Sequence, residues 1–231
     1  MEQGVLFSRV RVLHAACFAP AVGVVIGNRE VVKELRYGEA SGYARITGGF
    51  RRVTVVSRET GEELLSETVP FPEGSQLTLV ICNTMNQLSL IPMPETVCDA
   101  GKGKGCFRVA NYTFDDGPFR VLQDRDTVFA CVAPGACTSF LPAAAGSYDF
   151  WLAETEDCAA MAEPAYGGTG TQSMRRPESG DAQVSNSANR MPLPESAGEI
   201  YVRVMPGVSY TACILGACGS DVPLEIKILE F

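Results

Sequence analysis

Arg9-Val-Arg-Val-Leu-His-Ala-Ala-Cys-Phe-Ala-Pro-Ala-Val-Gly-Val-Val-Ile26 decides the fold, because the chain writes this stretch twice. Val10, Val12 and His14 alternate with Arg9, Arg11 and Leu13. A period of two is the signature of a strand with one buried face. A loop then reaches Pro20, and Val22, Val24 and Ile26 begin a second strand. Cys106-Phe-Arg-Val-Ala-Asn-Tyr-Thr-Phe-Asp-Asp-Gly-Pro-Phe-Arg-Val-Leu122 restarts the pattern. A shift of 97 carries Val10 to Phe107, Val12 to Val109, His14 to Asn111, Val22 to Phe119 and Val24 to Val121. It also carries Gly38 to Gly135, Tyr43 to Phe140 and Gly49 to Gly146. Chance does not keep residue character over so many ungapped positions, so the chain reads as a tandem repeat.

Outward from the opening stretch, turn signals divide the first copy into short strands. Gly27-Asn28 suits a tight hairpin, since both residues tolerate positive φ. Val31 and Val32 continue to a turn at Tyr37-Gly38, and Tyr43 to Ile46 ends at Gly48-Gly49. Val53 and Val55, Leu64 to Val69, Leu77 to Ile81 and Leu88 to Ile91 complete the copy. This spacing predicts an all-β chain of two tandem antiparallel β-sandwich modules, about seven strands each. The modules are expected at 1–91 and 106–231, joined by a Pro/Gly linker at 92–105. Late in the second copy Thr78 aligns with Thr211, a shift of 133. The excess over 97, 36 residues, falls after Thr155 at about 156–191. That insert is small, polar and proline-bearing, which predicts a poorly ordered loop.

A formal charge of −8 disfavours nonspecific binding to nucleic acid or anionic membrane. No run of about 18 apolar residues is present to span a bilayer. Met1-Glu-Gln-Gly-Val-Leu-Phe-Ser8 has neither a basic n-region nor an apolar h-region, so no signal peptide is read there. Nine cysteines are expected chiefly as small buried hydrophobes, ahead of a disulfide framework. The spacings Cys98-x7-Cys106, Cys131-x5-Cys137 and Cys213-x4-Cys218 flank turns, and none is Cys-x2-Cys. No metal or other cofactor is therefore predicted. Cys98 with Cys106 is the best local disulfide candidate, provided their Cα atoms approach within about 7 Å.

His14 is the only histidine and sits in phase with Val10 and Val12 on the inward face. Its counterpart is Asn111, which shares hydrogen bonding but not acid–base chemistry, so both read as structural anchors. Asp115-Asp116-Gly117, Asp124/Asp126 and Glu154/Glu156/Asp157 read as turn carboxylates rather than an acid–base pair. Gly101-Lys-Gly-Lys-Gly105 lacks phosphate-loop spacing. Asn111-Tyr112-Thr113 fits a glycosylation acceptor, and Arg175-Arg176 a protease-sensitive point. Two aromatics, Trp151 on the strand leading into the insert and Tyr166 within it, are the candidate ligand contacts, with core packing the heavier reading for Trp151.

Val10-Arg11, His14-Ala15, Ala19-Pro20-Ala21-Val22, Val24 and Tyr37-Gly38 together resemble a bacterial domain-of-unknown-function family, number 4397. The resemblance spans nearly the whole chain as two copies. Gly23 replaces that family's aspartate, and Ala16-Cys17 its Ser-Pro; in the second copy Asn111 and Arg120 stand at the histidine and aspartate positions. The resemblance implies an immunoglobulin-like or transthyretin-like sandwich without established activity. It points to a noncatalytic structural or binding protein of a bacterial cell or spore envelope, with a cytoplasmic location as the alternative. The second expectation is a glycan- or protein-binding module using loops of the second copy, and the third a cytosolic hydrolase. Self-association through sheet edges is the expected route of assembly.

Overall fold

The computed structural model describes residues 7–84, 87–114, 117–156, 158, 197–216 and 222–231. Sixteen strands and no α-helix are found among the described residues. The first eight are β1 (Phe7–His14), β2 (Val22–Ile26), β3 (Arg29–Leu35), β4 (Ala44–Thr47), β5 (Gly49–Ser57), β6 (Glu63–Phe71), β7 (Gln76–Thr84) and β8 (Gln87–Pro94). They build two four-stranded sheets, β4-β1-β7-β8 and β3-β2-β5-β6. The second eight are β9 (Lys104–Asn111), β10 (Phe119–Gln123), β11 (Asp126–Val132), β12 (Leu141–Ala144), β13 (Gly146–Glu154), β14 (Gly198–Val204), β15 (Ser209–Leu215) and β16 (Glu225–Glu230). Their sheets are β12-β9-β15-β16 and β11-β10-β13-β14, the same orders with eight added to every label.

The chain is thus all-β, in two sandwich-like modules. Each has eight strands where turn spacing gave about seven, because Val31 and Val32 belong to a separate strand, β3. The sheets are also not wholly antiparallel. β1 runs parallel to β7, with Arg9 opposite Gln76 and His14 opposite Ile81, and β9 runs parallel to β15, with Cys106 opposite Ser209. Hairpin signals join only strands adjacent in sequence, whereas a parallel neighbour needs a crossover. The register itself follows the two sequence shifts: 97 takes Arg9 to Cys106, and 133 takes Gln76 to Ser209.

Alternation along these strands fills one core per module. In the first, Val10, Val12, Val24, Val53, Val55, Leu77 and Leu79 are buried in a mainly aliphatic cluster. The second is aromatic at matching places: Phe107 lies face to face with Phe150 at 4.8 Å, and Tyr148 lies 6.1 Å from the same ring. Burying such side chains is the main stabilising term, at about 1.5–3 kcal/mol each.

The boundaries differ somewhat from the linker expected at 92–105. β8 runs through Pro94, and the Glu95 amide still donates to the Gln76 carbonyl at 2.9 Å. β9 begins at Lys104. One compact unit comprises Met1–Val97, Tyr112–Asp115 and Leu215–Pro223, and the other Cys98–Asn111, Asp116–Ile214 and Leu224–Phe231. The extra residues of the second copy fall in the β13–β14 connection, whose last paired residues are Leu152 and Gly198. Of the insert at about 156–191, all but Glu156 and Cys158 lies outside the described residues, as do Tyr166 and Arg175-Arg176.

Candidate functional site

The outward face of β13 and β14 carries the most distinctive surface of the second module. On β13 the pleat turns Tyr148, Phe150 and Leu152 inward, leaving Ser147, Asp149 and Trp151 outward. On β14 Ile200, Val202 and Val204 are inward and Glu199, Tyr201 and Arg203 outward. Register pairs Trp151 with Glu199, Asp149 with Tyr201 and Ser147 with Arg203. Tyr201 is 62% exposed, and its hydroxyl donates to Ser147 Oγ at 3.2 Å. At the end of this ladder a groove of about 480 Å³ is lined by Gly146, Ser147, Tyr201, Arg203, Met205 and Pro206, among others. Its far wall is fixed by the Met205 amide, which donates to the Tyr210 hydroxyl at 3.2 Å.

Trp151 is half-buried on this outward face and is not a member of the core, which corrects the heavier sequence reading. Phe150 and Leu152 take the inward positions on either side of it. Directly across on β10 lies Leu122. Tyr201 and Arg203 were not singled out from sequence, although the alternation Glu199-Ile-Tyr-Val-Arg203 carries the signal.

His14 sits fully buried at the end of β1. Its Nδ1 accepts from the Ala16 amide at 3.3 Å, which leaves Nε2 as the donor to the Pro20 carbonyl at 3.0 Å. Burial pushes its pKa below the ordinary value, outweighing the Pro20 bond and the charge of Glu39. Asn111 is equally buried and donates to the Val132 carbonyl at 3.1 Å. With its side chain so held, Asn111 is no accessible glycosylation acceptor in the fold.

Cys98 and Cys106 form a disulfide, with Cα atoms 6.1 Å apart. Cys131 pairs with Cys158, so the Cys131-x5-Cys137 spacing does not mark a disulfide. The bond joins β11 to the root of the insert, a juxtaposition made by sheet order. Cys82 and Cys137 are thiols; burial raises both, Cys82 to about 11 with help from the charge of Glu67. Cys218 and Asp115-Asp116 lie outside the described residues; Asp124 sits in the β10–β11 turn and Asp126 opens β11. No group of three His, Cys, Asp or Glu able to hold a metal occurs among the described residues.

The densest ionisable cluster is in the first module. Arg11 Nε donates to Glu95 Oε1 at 2.8 Å and to Thr78 Oγ1 at 2.9 Å, and the Thr78 hydroxyl donates to Glu95 Oε1. The Tyr43 hydroxyl donates to Glu95 Oε2, and Gln76 Nε2 reaches the same oxygen at 2.7 Å. Burial, then the hydrogen bond to and charge of Glu95, push the Tyr43 phenol well above its usual range. These groups hydrogen-bond to one another, so the cluster fastens β1, β7 and the end of β8.

A family model, the domain of unknown function DUF4397, matches residues 8–121. The chain belongs to that family. The DUF4397 match starts in β1, covers the first module and ends in β10. Beyond it, β11 to β16 repeat the strand order and register of the first module. At the position of the DUF4397 aspartate, Gly23 leaves room that the Arg58 guanidinium occupies, within 2.5 Å of where a Cβ would stand. In the second module the arginine is Arg120, at the position matching Gly23, and it donates to Thr155 Oγ1 at 3.3 Å. No curated protein matches the chain.

Proposed function

We propose that this protein is a noncatalytic binding protein of a bacterial cell or spore envelope, holding a glycan or a protein on the outward face of β13 and β14. The observation that carries the location is the pair of disulfides, Cys98–Cys106 and Cys131–Cys158. Such bonds persist in oxidising compartments and are rare in a reducing cytosol. The exposed Tyr201, the half-buried Trp151 and the adjoining groove support binding, because a planar ring beside hydroxyl and guanidinium groups suits sugar or peptide surfaces. The noncatalytic part rests on His14, whose two ring nitrogens are both engaged by backbone, so the one histidine is not available as a base. The net charge of −8 argues against nucleic acid as the ligand.

The location is tested on intact source cells and spores with a membrane-impermeant thiol reagent, before and after reduction, read as intact mass of the recovered protein. Four additional labels appearing only after reduction of unbroken cells are expected. Labelling confined to lysates would place the protein inside and defeat the envelope reading. For binding, a glycan and envelope-extract screen is read by Trp151 fluorescence. A ligand that shifts it should lose affinity about tenfold or more in Tyr201→Ala.

A further inference from the structure

A strand at the edge of a sheet presents a row of unpaired amides and carbonyls, and proteins commonly blunt such edges with proline. Here β6 carries Pro70, β8 carries Pro92 and Pro94, and β12 carries Pro142. β14 occupies the place in the second module that β6 holds in the first, with β13 its one neighbour in the sheet order among the described residues. Its sequence, Gly198-Glu-Ile-Tyr-Val-Arg-Val204, like those of the edge strands β3, β4, β11 and β16, contains no proline, and Arg203 stands where β6 has Pro70.

That sequence is complementary to its own reverse. If two copies of β14 run antiparallel about a twofold axis through Tyr201, Glu199 of each copy faces Arg203 of the other. Ile200 faces Val202 on the inward side, Tyr201 faces Tyr201, and Met205, itself 48% exposed, falls beside Ala197 of the second copy. A register centred on a residue is also the kind that hydrogen bonding allows. It opposes residues of like parity, whose N–H and C=O groups turn towards the partner together. Among such registers, only the one centred on Tyr201 sets both charges against their opposites. A shift of two residues breaks both pairs.

We propose that the protein forms a twofold dimer by adding β14 to β14 of a second copy, making one continuous sheet of eight strands from β11-β10-β13-β14 and its mate. The interface is isologous, as a twofold requires. It goes beyond the binding role proposed above and does not depend on where the protein resides.

The test is sedimentation of the full chain with its disulfides intact, up to about 100 µM, where even weak specific association is measurable. A dimer is expected. Arg203→Glu sets glutamate against glutamate twice per dimer, and Glu199→Arg sets arginine against arginine twice. Each should weaken association by about tenfold or more, since like charges directly opposite are unfavourable. The double variant Glu199→Arg/Arg203→Glu restores both pairs and should return to within about threefold of the parent. Arg203→Pro, which copies Pro70 into β14, should give monomer with unchanged circular dichroism. A monomeric parent would overturn the proposal. So would single reversals that associate like the parent, or a double variant no tighter than the singles.

Discussion

In the first module Arg11 lies against a carboxylate; in the second its counterpart Arg108 lies against two aromatic rings. Arg11 is bound by Glu95 and Thr78, with Tyr43 stacked at 5.0 Å. Arg108 keeps the threonine, donating to Thr211 Oγ1 at 2.9 Å, but it stands over Phe140 at 4.3 Å and Phe231 at 5.8 Å. Phe140 aligns with Tyr43, and Phe231 pairs with Ser209 as Glu95 pairs with Gln76. One scaffold therefore seats the same cation in two ways. Cation–π contact is worth about 0.5–2 kcal/mol. An ion pair as buried as Arg11–Glu95 is stable only while both members are present. The cores follow the same division, aliphatic at Val10 and Val53 and aromatic at Phe107 and Phe150.

The largest expected effect comes from breaking the ionic version. Glu95→Ala leaves Arg11 without its carboxylate in a buried site and should cost about 3–5 kcal/mol in chemical denaturation, against under about 2 kcal/mol for Phe140→Leu. Equal losses would mean that the two seats are energetically alike. Next comes Cys158→Ser, which removes the bond closing a 27-residue separation between β11 and the root of the insert. A loss of about 3–4 kcal/mol is expected in the second module, with the first unaffected. A cooperative loss in both modules would show instead that they unfold as one unit.

His14 and Asn111 sharpen the comparison through pH. Burial holds the folded pKa of His14 below its ordinary value of 6.5, so the unfolded chain takes up a proton first. Its contribution is fully present above about 6.5 and is lost as pH falls from there through the folded pKa. Melting temperature against pH should show this drop, and His14→Asn, which installs the second module's residue, should flatten it. An unchanged profile would assign the dependence to other groups. The smallest effect is at the hairpin turns. Gly27 has φ 64 and its counterpart Asp124 has φ 54, so Asp124→Gly should stabilise by no more than about 1 kcal/mol.

Trp151 and Cys131 show where reading the chain alone stopped. Trp151 follows Phe150, and with one tryptophan of large area the core was the natural assignment. Its outward position depends on Phe150 meeting Phe107 from the facing sheet, which fixes the parity of β13. Cys131 and Cys137 flank a turn, and that local spacing carries no sign of Cys158. The sheet order β11-β10-β13 instead brings the end of β13, and with it Cys158, back to β11. The Arg11–Glu95 pair spans 84 residues and gave no local signal.

What the sequence determined by itself was everything periodic or local. Alternation made strands at Val10–His14 and Phe107–Asn111, Gly27-Asn28 made a hairpin, and the shifts of 97 and 133 set equivalent residues in equivalent registers. These follow from backbone sterics and burial of one face, which act over a few residues and repeat when the residues repeat. Tertiary structure decided the parallel pairing of β1 with β7, the partner of Cys131, the outward face of Trp151 and the carboxylate beneath Arg11. Each depends on which distant strand lies alongside, a choice made by the packing of two sheets around a shared core and carried by no single stretch of the chain.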